Sequence, residues 1–392
     1  MMGVAAARCN RRDRHDHATG WRGDRVTSGI KRTQTGRDTR YWHRETDGRV
    51  QCDVCPRACR MREGQRGLCF VRGAEQGRVK LYTDGRSSGF CIDPIEKKPL
   101  HHFLPGSAVL SFGTAGCNLA CKFCQNWDMS KSRAMDILAA RATARELAAG
   151  AARLGCASIA YTYNDPTVFL EYAIDVADAA RELGVRSVAV SAGYICPEPR
   201  AQLFSHMDAA NIDLKGFTED FYRRICGGQL GAVLETLEYL HRETRVWLEV
   251  TTLLIPGLND SDGEIAALSA WFAEHLGEAV PLHFTAFHPD WKMTDVPPTP
   301  AATLTRARRI AGDHGLRHVY TGNVLDPQGG STWCHVCGAL LIGRVGYQLD
   351  HWGLSAEGCC RACGTPCAGV FGPVAGRWGG RRVPLAPGAL RP

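Results

Sequence analysis

The sequence predicts an α/β protein: a complete or partial β/α barrel with cysteine-rich metal-binding modules on either side. Three observations carry the prediction. Short β-rich runs alternate with amphipathic helical stretches through the middle of the 392-residue chain, residues of unusual chemistry follow those runs, and the 18 cysteines gather in short-spaced groups. Repeated strand, helix, strand units imply a parallel sheet, and six or seven in a row suggest a barrel, with a doubly wound sheet as the alternative.

The strands are expected at AVLSFG (108–113), ASIAYTY (157–163), RSVAVS (186–191), AANIDL (209–214), RVWLEVTTLLI (245–255), LHFTAF (282–287) and RHVYTG (317–322). All are rich in β-branched and apolar residues. After the second run, Val168, Phe169, Tyr172, Ala173, Val176, Ala177, Ala180 and Leu183 recur at spacings of three and four, with Pro166 in the first turn and Gly184 at the end. SDGE (261–264) reads as a Ser-x-x-Glu capping box before another helix. The expected organisation is a disordered basic tail (1–48), an N-terminal four-cysteine module with a loop (49–105), the barrel (106–326), a ribbon-like module (327–372) and a second loose tail rich in Gly, Pro and Arg (373–392).

Charge argues against nucleic acid as a partner, because the basic excess is confined to one tail. The net charge is +7, but residues 1–50 hold 12 Lys/Arg against 6 Asp/Glu, and the other 342 residues hold 35 against 34. The excess therefore belongs to the basic tail, read as disordered or as sequence ahead of the true start. An apolar fraction of 44% suits a globular chain. No window approaches 18 consecutive apolar residues and no signal-peptide h-region is present, so a cytoplasmic protein is expected, with no membrane partner. That compartment keeps thiols reduced, which points the cysteines to metal or redox chemistry rather than disulfides.

Barrel enzymes carry chemistry on the loops that follow strand C-terminal ends. Those loops hold GCNLACKFCQNW (116–127), YNDPT (163–167), SAGY (191–194), DLK (213–215), IPGLND (255–260) and FHP (287–289). In the first, Cys117, Cys121 and Cys124 form a Cys-x3-Cys-x2-Cys run. Thiolates select zinc, copper(I) or iron–sulfur clusters, and three within eight residues can hold three corners of a cubane. A zinc knuckle completed by a distant residue is the alternative, but a loop after the first barrel strand favours the cubane, with its fourth iron facing the barrel mouth. Asp213 and Lys215 share a face by period two.

This spacing resembles that of the radical S-adenosylmethionine (SAM) enzymes. Within them the chain resembles the pyruvate formate-lyase activating enzyme-like branch, and more closely the radical SAM enzyme of the AmmeMemoRadiSam system. The resemblance runs from about Tyr41 to Gly372 through CDVCPRACRMREGQRGLC, IDPIEKKPLHHFLPGS, GCNLACKFCQNWDMS, IDLKGF, TTLLIPGLND, PLHFTAFHPDWKM and GNV. It implies that Cys117, Cys121 and Cys124 ligate a [4Fe-4S] cluster whose open iron chelates SAM. Reductive cleavage would give methionine and a 5′-deoxyadenosyl radical that abstracts hydrogen from a substrate, fed by an electron donor such as flavodoxin or ferredoxin. A protein is one candidate substrate.

The resemblance also assigns roles near SAM to Asn164, Asp165 and Pro166 in YNDPT, where relatives carry Glu at the Asp165 position for the SAM amino group. Ser191 and Gly193 lie where relatives read Asn-Gly, with Ala192 in place of the Asn and Ser191 as its substitute. Asp213 and Lys215 are implied near the sulfonium and carboxylate, and His288 near the ribose or adenine. A structural ion pair and a structural histidine are the plainer readings of these last two. His101 replaces a Tyr of relatives. Asp93, Glu96, Lys97 and Lys98 in IDPIEKKP form a signature for which a solvated loop is the simplest reading.

Two cysteine quartets flank the barrel. Cys334, Cys337, Cys360 and Cys363 give two Cys-x2-Cys-Gly turns separated by 22 residues, a pattern for one tetrahedral zinc; Cys360 and Cys363 are preferred over Cys359 and Cys367 because Gly364 then matches Gly338. Cys52, Cys55, Cys59 and Cys69 form a less regular quartet that suits zinc or an auxiliary cluster. Cys9, Cys91, Cys156, Cys196 and Cys226 read as ordinary thiols. The alternative function is a catalytically inactive zinc- or iron-binding scaffold that contacts nucleic acid through the Arg-rich tail.

Overall fold

The structure is a computed structural model that describes residues 36–132 and 140–390. Seven parallel strands form its centre: β1 (Ala108–Gly113), β2 (Ser158–Tyr161), β3 (Arg186–Ser191), β4 (Ala209–Asp213), β5 (Trp247–Leu254), β6 (Leu282–Ala286) and β7 (Val319–Gly322). Each pairs with the next in chain order. A doubly wound sheet would reverse order at a switch point, so that alternative is excluded. The sheet stays open: the outer edge of β1 pairs with the antiparallel strand Arg86–Pro94 and not with β7, so a complete barrel does not close.

Period-two alternation sends one face of every strand to the helices. Leu110, Phe112, Ile159, Tyr161, Ile212 and Val250 join the main core. The helices α1 (Ala144–Arg153), α2 (Leu170–Glu182), α3 (Pro197–Phe204), α4 (Leu230–Glu243), α5 (Asp262–Leu276) and α6 (Ala301–Asp313) pack side by side in chain order. Pro166 starts a short 3₁₀ turn, Pro166–Phe169, that leads into α2. The expected capping box at α5 is half made. Ser261 accepts from the Glu264 N–H, but the Glu264 carboxylate instead accepts from the Phe217 N–H (2.7 Å), tying α5 to the loop after β4.

The other face of the sheet is polar, and it corrects the reading of IDPIEKKP as a solvated loop. Asp93 is fully buried and takes Lys98 Nζ (2.7 Å), Lys97 Nζ (3.2 Å) and Ser111 Oγ (2.8 Å). Burial alone would push its carboxyl up, yet Lys98 and Lys97 hold it well below the ordinary value. Glu249 on β5 accepts from the N–H groups of His101 (2.9 Å) and His102 (2.7 Å), from His283 Nε2 (2.7 Å) and from Trp247 Nε1 (3.0 Å). A buried carboxylate survives only with such saturation.

That network reaches into the C-terminal module, whose antiparallel strands are Thr332–Trp333, Leu340–Val345 and Gln348–Trp352. Tyr320 Oη bridges His102 Nε2 and Thr332 Oγ1, while Arg344 donates to Thr332 Oγ1 and to the His101 carbonyl. On the N-terminal side, the buried Arg72 guanidinium meets the Glu171 carboxylate of α2 with two hydrogen bonds.

Both tails need correction. Of the 1–48 tail, residues 1–35 lie outside the described residues, but Arg37–Asp38 and Trp42–Arg44 are strands, and Arg37 binds Asp84 and Asp175. The 373–392 segment is docked as far as Leu390: Val383 pairs with Ile92, Trp378 N–H donates to the Gly106 carbonyl, and Leu390 is buried against Gly150. Backbone pairing does this, and composition does not reveal it. Among the described residues no helix is long and apolar enough to cross a membrane.

Candidate active site

The cysteine loop begins where β1 ends and is fastened from several sides. Asn164, just past β2, accepts from the Thr114 N–H (3.1 Å) and donates to the Gly116 carbonyl (2.8 Å). Asn118 Nδ2 donates to the Tyr194 carbonyl (2.7 Å), and Arg57 Nε donates to the Asn118 carbonyl (3.0 Å). Gly116 has φ +82° and a Cβ there would meet the Cys69 carbonyl oxygen at 2.1 Å, so only glycine fits. Farther along, Trp127 Nε1 donates to Asp290 (3.1 Å), its ring stacks on Trp291, and Gln125 lies against His288 Nδ1 (3.4 Å). His288 therefore borders the cysteine loop.

Cys117, Cys121 and Cys124 are free thiols here. Burial pushes Cys117 up to about 12 and raises Cys124, whereas Cys121 is held low by a hydrogen bond from Cys226, reinforced by Lys215 and Lys131. Among the described residues these three sulfurs do not all lie within 4.8 Å of one another, the span at which three groups could share one ion. Such spacing does not fit a single zinc, whose thiolates stand about 3.8 Å apart at Zn–S distances of about 2.3 Å. A cubane, in which each cysteine holds a different iron, does not need that closeness.

Lys215 is brought beside this loop, and its ammonium pairs with Asp213 (2.9 Å). Burial would lower the Lys215 pKa, but Asp213 and Cys121 raise it well above the ordinary value. Asn259, from IPGLND, donates to the Lys215 and Leu253 carbonyls (2.8 and 2.9 Å) and so joins the loops after β4 and β5. Ser191, Gly193 and Asp165 form one knot. The Asp165 carboxylate accepts from Thr167 N–H (3.0 Å), Ser191 Oγ (3.1 Å) and Ala192 N–H (2.8 Å), and Ser191 Oγ accepts from Gly193 N–H (3.0 Å). Both oxygens of Asp165 are thus used within the protein. The pairs Asn118 and Arg57, Asn259 and Lys215, and Cys226 and Cys121 escape sequence reasoning, because each joins segments distant in the chain.

Elsewhere, Cys334, Cys337, Cys360 and Cys363 collapse together, with Cys334–Cys363 and Cys337–Cys360 sulfur separations of 3.6 and 3.7 Å. The two turns match: Gly338 and Gly364 both have positive φ, and each donates its N–H back to the first cysteine of its turn. Cys359 and Cys367 stand outside this quartet. Cys367 lies instead with His102 and His318, a buried trio the sequence does not announce. Both His102 nitrogens already face Ala368 O (2.6 Å) and Tyr320 Oη (2.5 Å). Cys52, Cys55, Cys59 and Cys69 line a common pocket.

The radical SAM superfamily model matches residues 112–268, from the end of β1 through the cysteine loop into α5. Residues 112–268 are a radical SAM domain. Membership of that domain in the superfamily implies SAM cleavage at an iron–sulfur cluster. An uncharacterized protein of Methanocaldococcus jannaschii is 41% identical over 329 residues, covering 84% of this radical SAM protein and 98% of that one. The likeness therefore reaches well beyond the matched domain. Among solved structures, a domain of pyruvate-formate lyase-activating enzyme from Bacteroides vulgatus is 16% identical and covers 42% of this chain and 99% of that one, with a TM-score of 0.38. A radical SAM methyltransferase from Sphaerobacter thermophilus is 18% identical, covering 61% and 71%, with a TM-score of 0.46.

Proposed function

We propose that this radical SAM protein is a hydrogen-abstracting enzyme of the pyruvate formate-lyase activating enzyme-like branch, close to the AmmeMemoRadiSam enzyme, with a partial β/α barrel around its site. One observation carries the reading: three free thiols share the loop after β1 without single-ion spacing, and one of them, Cys121, lies beside the Asp213–Lys215 pair. Cys117, Cys121 and Cys124 would hold a [4Fe-4S] cluster. When bound, that cluster supplies the electron that cleaves SAM to methionine and a 5′-deoxyadenosyl radical.

The chain's own residues do the positioning. Lys215, kept protonated by Asp213, offers a fixed positive charge to the SAM carboxylate. Asn164, Ser191 and Gly193 shape the loops around the ligand, and His288 bounds it beside Gln125. Asp165 acts through the loops it ties together. A flavodoxin- or ferredoxin-type donor and a protein substrate are the proposed partners, in a cytoplasmic setting. Anaerobic incubation with SAM and a strong reductant tests the reading, and should release 5′-deoxyadenosine. Deuterated candidate substrates that pass deuterium to it would name the hydrogen donor. No release would favour the inactive scaffold.

Asp165→Asn separates positioning from contact. It replaces an acceptor oxygen with a donor in a buried knot, so a stability loss of ~1–3 kcal/mol is expected by denaturant titration, with only a modest change in SAM affinity. A large loss of SAM affinity at unchanged stability would show direct contact instead. For the C-terminal quartet we propose structural zinc, since its sulfurs stand at single-ion spacing with no open position. Cys337→Ser should release about one zinc per chain and lower solubility, because metal-binding energy in such modules is largely folding energy. Unchanged zinc content by elemental analysis would refute this.

A further inference from the structure

The N-terminal quartet has the geometry of the cluster loop and not that of the zinc site. Cys52 and Cys59 are direct cross-strand partners on Val50–Cys52 and Cys59–Met61, Cys55 sits in the turn between them, and Cys69 comes from the following loop. All four line one pocket. Yet among the described residues no three of their sulfurs lie within 4.8 Å of one another, whereas the C-terminal quartet has closed to 3.6 and 3.7 Å. Four thiols that line one pocket without closing to single-ion spacing suit a multi-iron body better than one ion.

The surroundings suit such a body. Val54, Met61 and Val168 give the pocket apolar walls, and the buried Arg72 guanidinium supplies positive charge at its edge. Backbone N–H groups of Val54, Arg57 and Arg72 point at the sulfurs of Cys52, Cys55 and Cys69, as they do from Leu119 at Cys117 and Asn126 at Cys124. Hydrogen bonds to sulfur and exclusion of solvent are the levers by which proteins stabilise iron–sulfur clusters.

We propose that Cys52, Cys55, Cys59 and Cys69 ligate an auxiliary [4Fe-4S] cluster and not zinc. The site is saturated by four cysteines, so it has no open iron and binds no SAM. It also abuts the first cluster loop: Asn118 lines its pocket, and the Cys69 carbonyl presses on Gly116, the residue before Cys117.

The test uses the full chain, reconstituted anaerobically with iron and sulfide, and a variant in which Cys117, Cys121 and Cys124 are all alanine. Iron, acid-labile sulfide and zinc are counted, and the reduced proteins are examined by electron paramagnetic resonance. The native sequence should carry about eight irons, and the triple variant about four with a cluster signal that persists. Adding Cys52→Ser and Cys59→Ser should remove that remaining iron. A triple variant with no iron and a second zinc per chain would overturn the assignment. Iron that survives the triple change supports it even if the native protein fails to cleave SAM, so the two readings are tested separately.

Discussion

Replacing Cys121 by alanine, together with Cys226, is expected to reduce SAM cleavage to background. Cys121 is the middle one of the three proposed cluster ligands, and two remaining thiolates cannot hold three corners of a cubane. Cys226 is included because its thiol already touches Cys121 and could stand in as ligand. Cys121 and Cys226 are buried in the main core, where alanine keeps a small apolar side chain, so the chain should stay folded. The checks are 5′-deoxyadenosine release, the circular dichroism spectrum and iron content. Native-level cleavage by this double variant would remove Cys121 from the site. Cys226→Ala alone should keep the cluster, which separates a ligand from its neighbour.

Glu249→Ala should cause the largest loss of stability, ~3–5 kcal/mol, the range for breaking a buried charged network by removing one partner. Its carboxylate is wholly buried and takes four donors, two from the backbone of His101 and His102. Removing it takes the acceptor from all four, and three of these bonds are buried. The damage should spread to the C-terminal module, since His102, Tyr320, Thr332 and Arg344 continue the same network. Glu249→Gln keeps one acceptor and should cost less. Denaturant titration reads both, and a loss below ~1 kcal/mol for the alanine variant would show that the carboxylate is not what holds this region.

These two sites differ in how far the sequence disclosed them. The strands around Cys117, Cys121 and Cys124 follow local rules, hydrophobic runs and turn signals, and the strand order follows from the alternation of textures. The ribbon quartet was legible for the same reason: matching Cys-x2-Cys-Gly turns act within a few residues. Glu249 lies in RVWLEVTTLLI, where nothing marks it, because its partners come from residues about 150 positions earlier and from β6. IDPIEKKP was misread since charged residues are normally solvated, and only the meeting of Asp93, Lys98 and Ser111 offsets their burial. Asp165 was read as facing a ligand, but the N–H groups of the SAGY turn reach it in the fold.

The docked C-terminal segment has a consequence for how the molecule behaves among its own copies. The strand Arg86–Pro94 lies at the flank of the sheet; Ala140–Arg141 pairs with its first two residues, and without Val383–Pro384 its edge at Cys91 and Ile92 would be open. An uncovered flank of this kind is a template on which another chain can add. Val383 and Pro384 seal it, and Pro384 has no N–H to offer in turn. A chain shortened after Gly372 would keep every proposed metal ligand and every residue proposed for the SAM site, yet it would carry an adhesive edge. Its failure in the test tube would be precipitation, in a protein whose chemistry is intact.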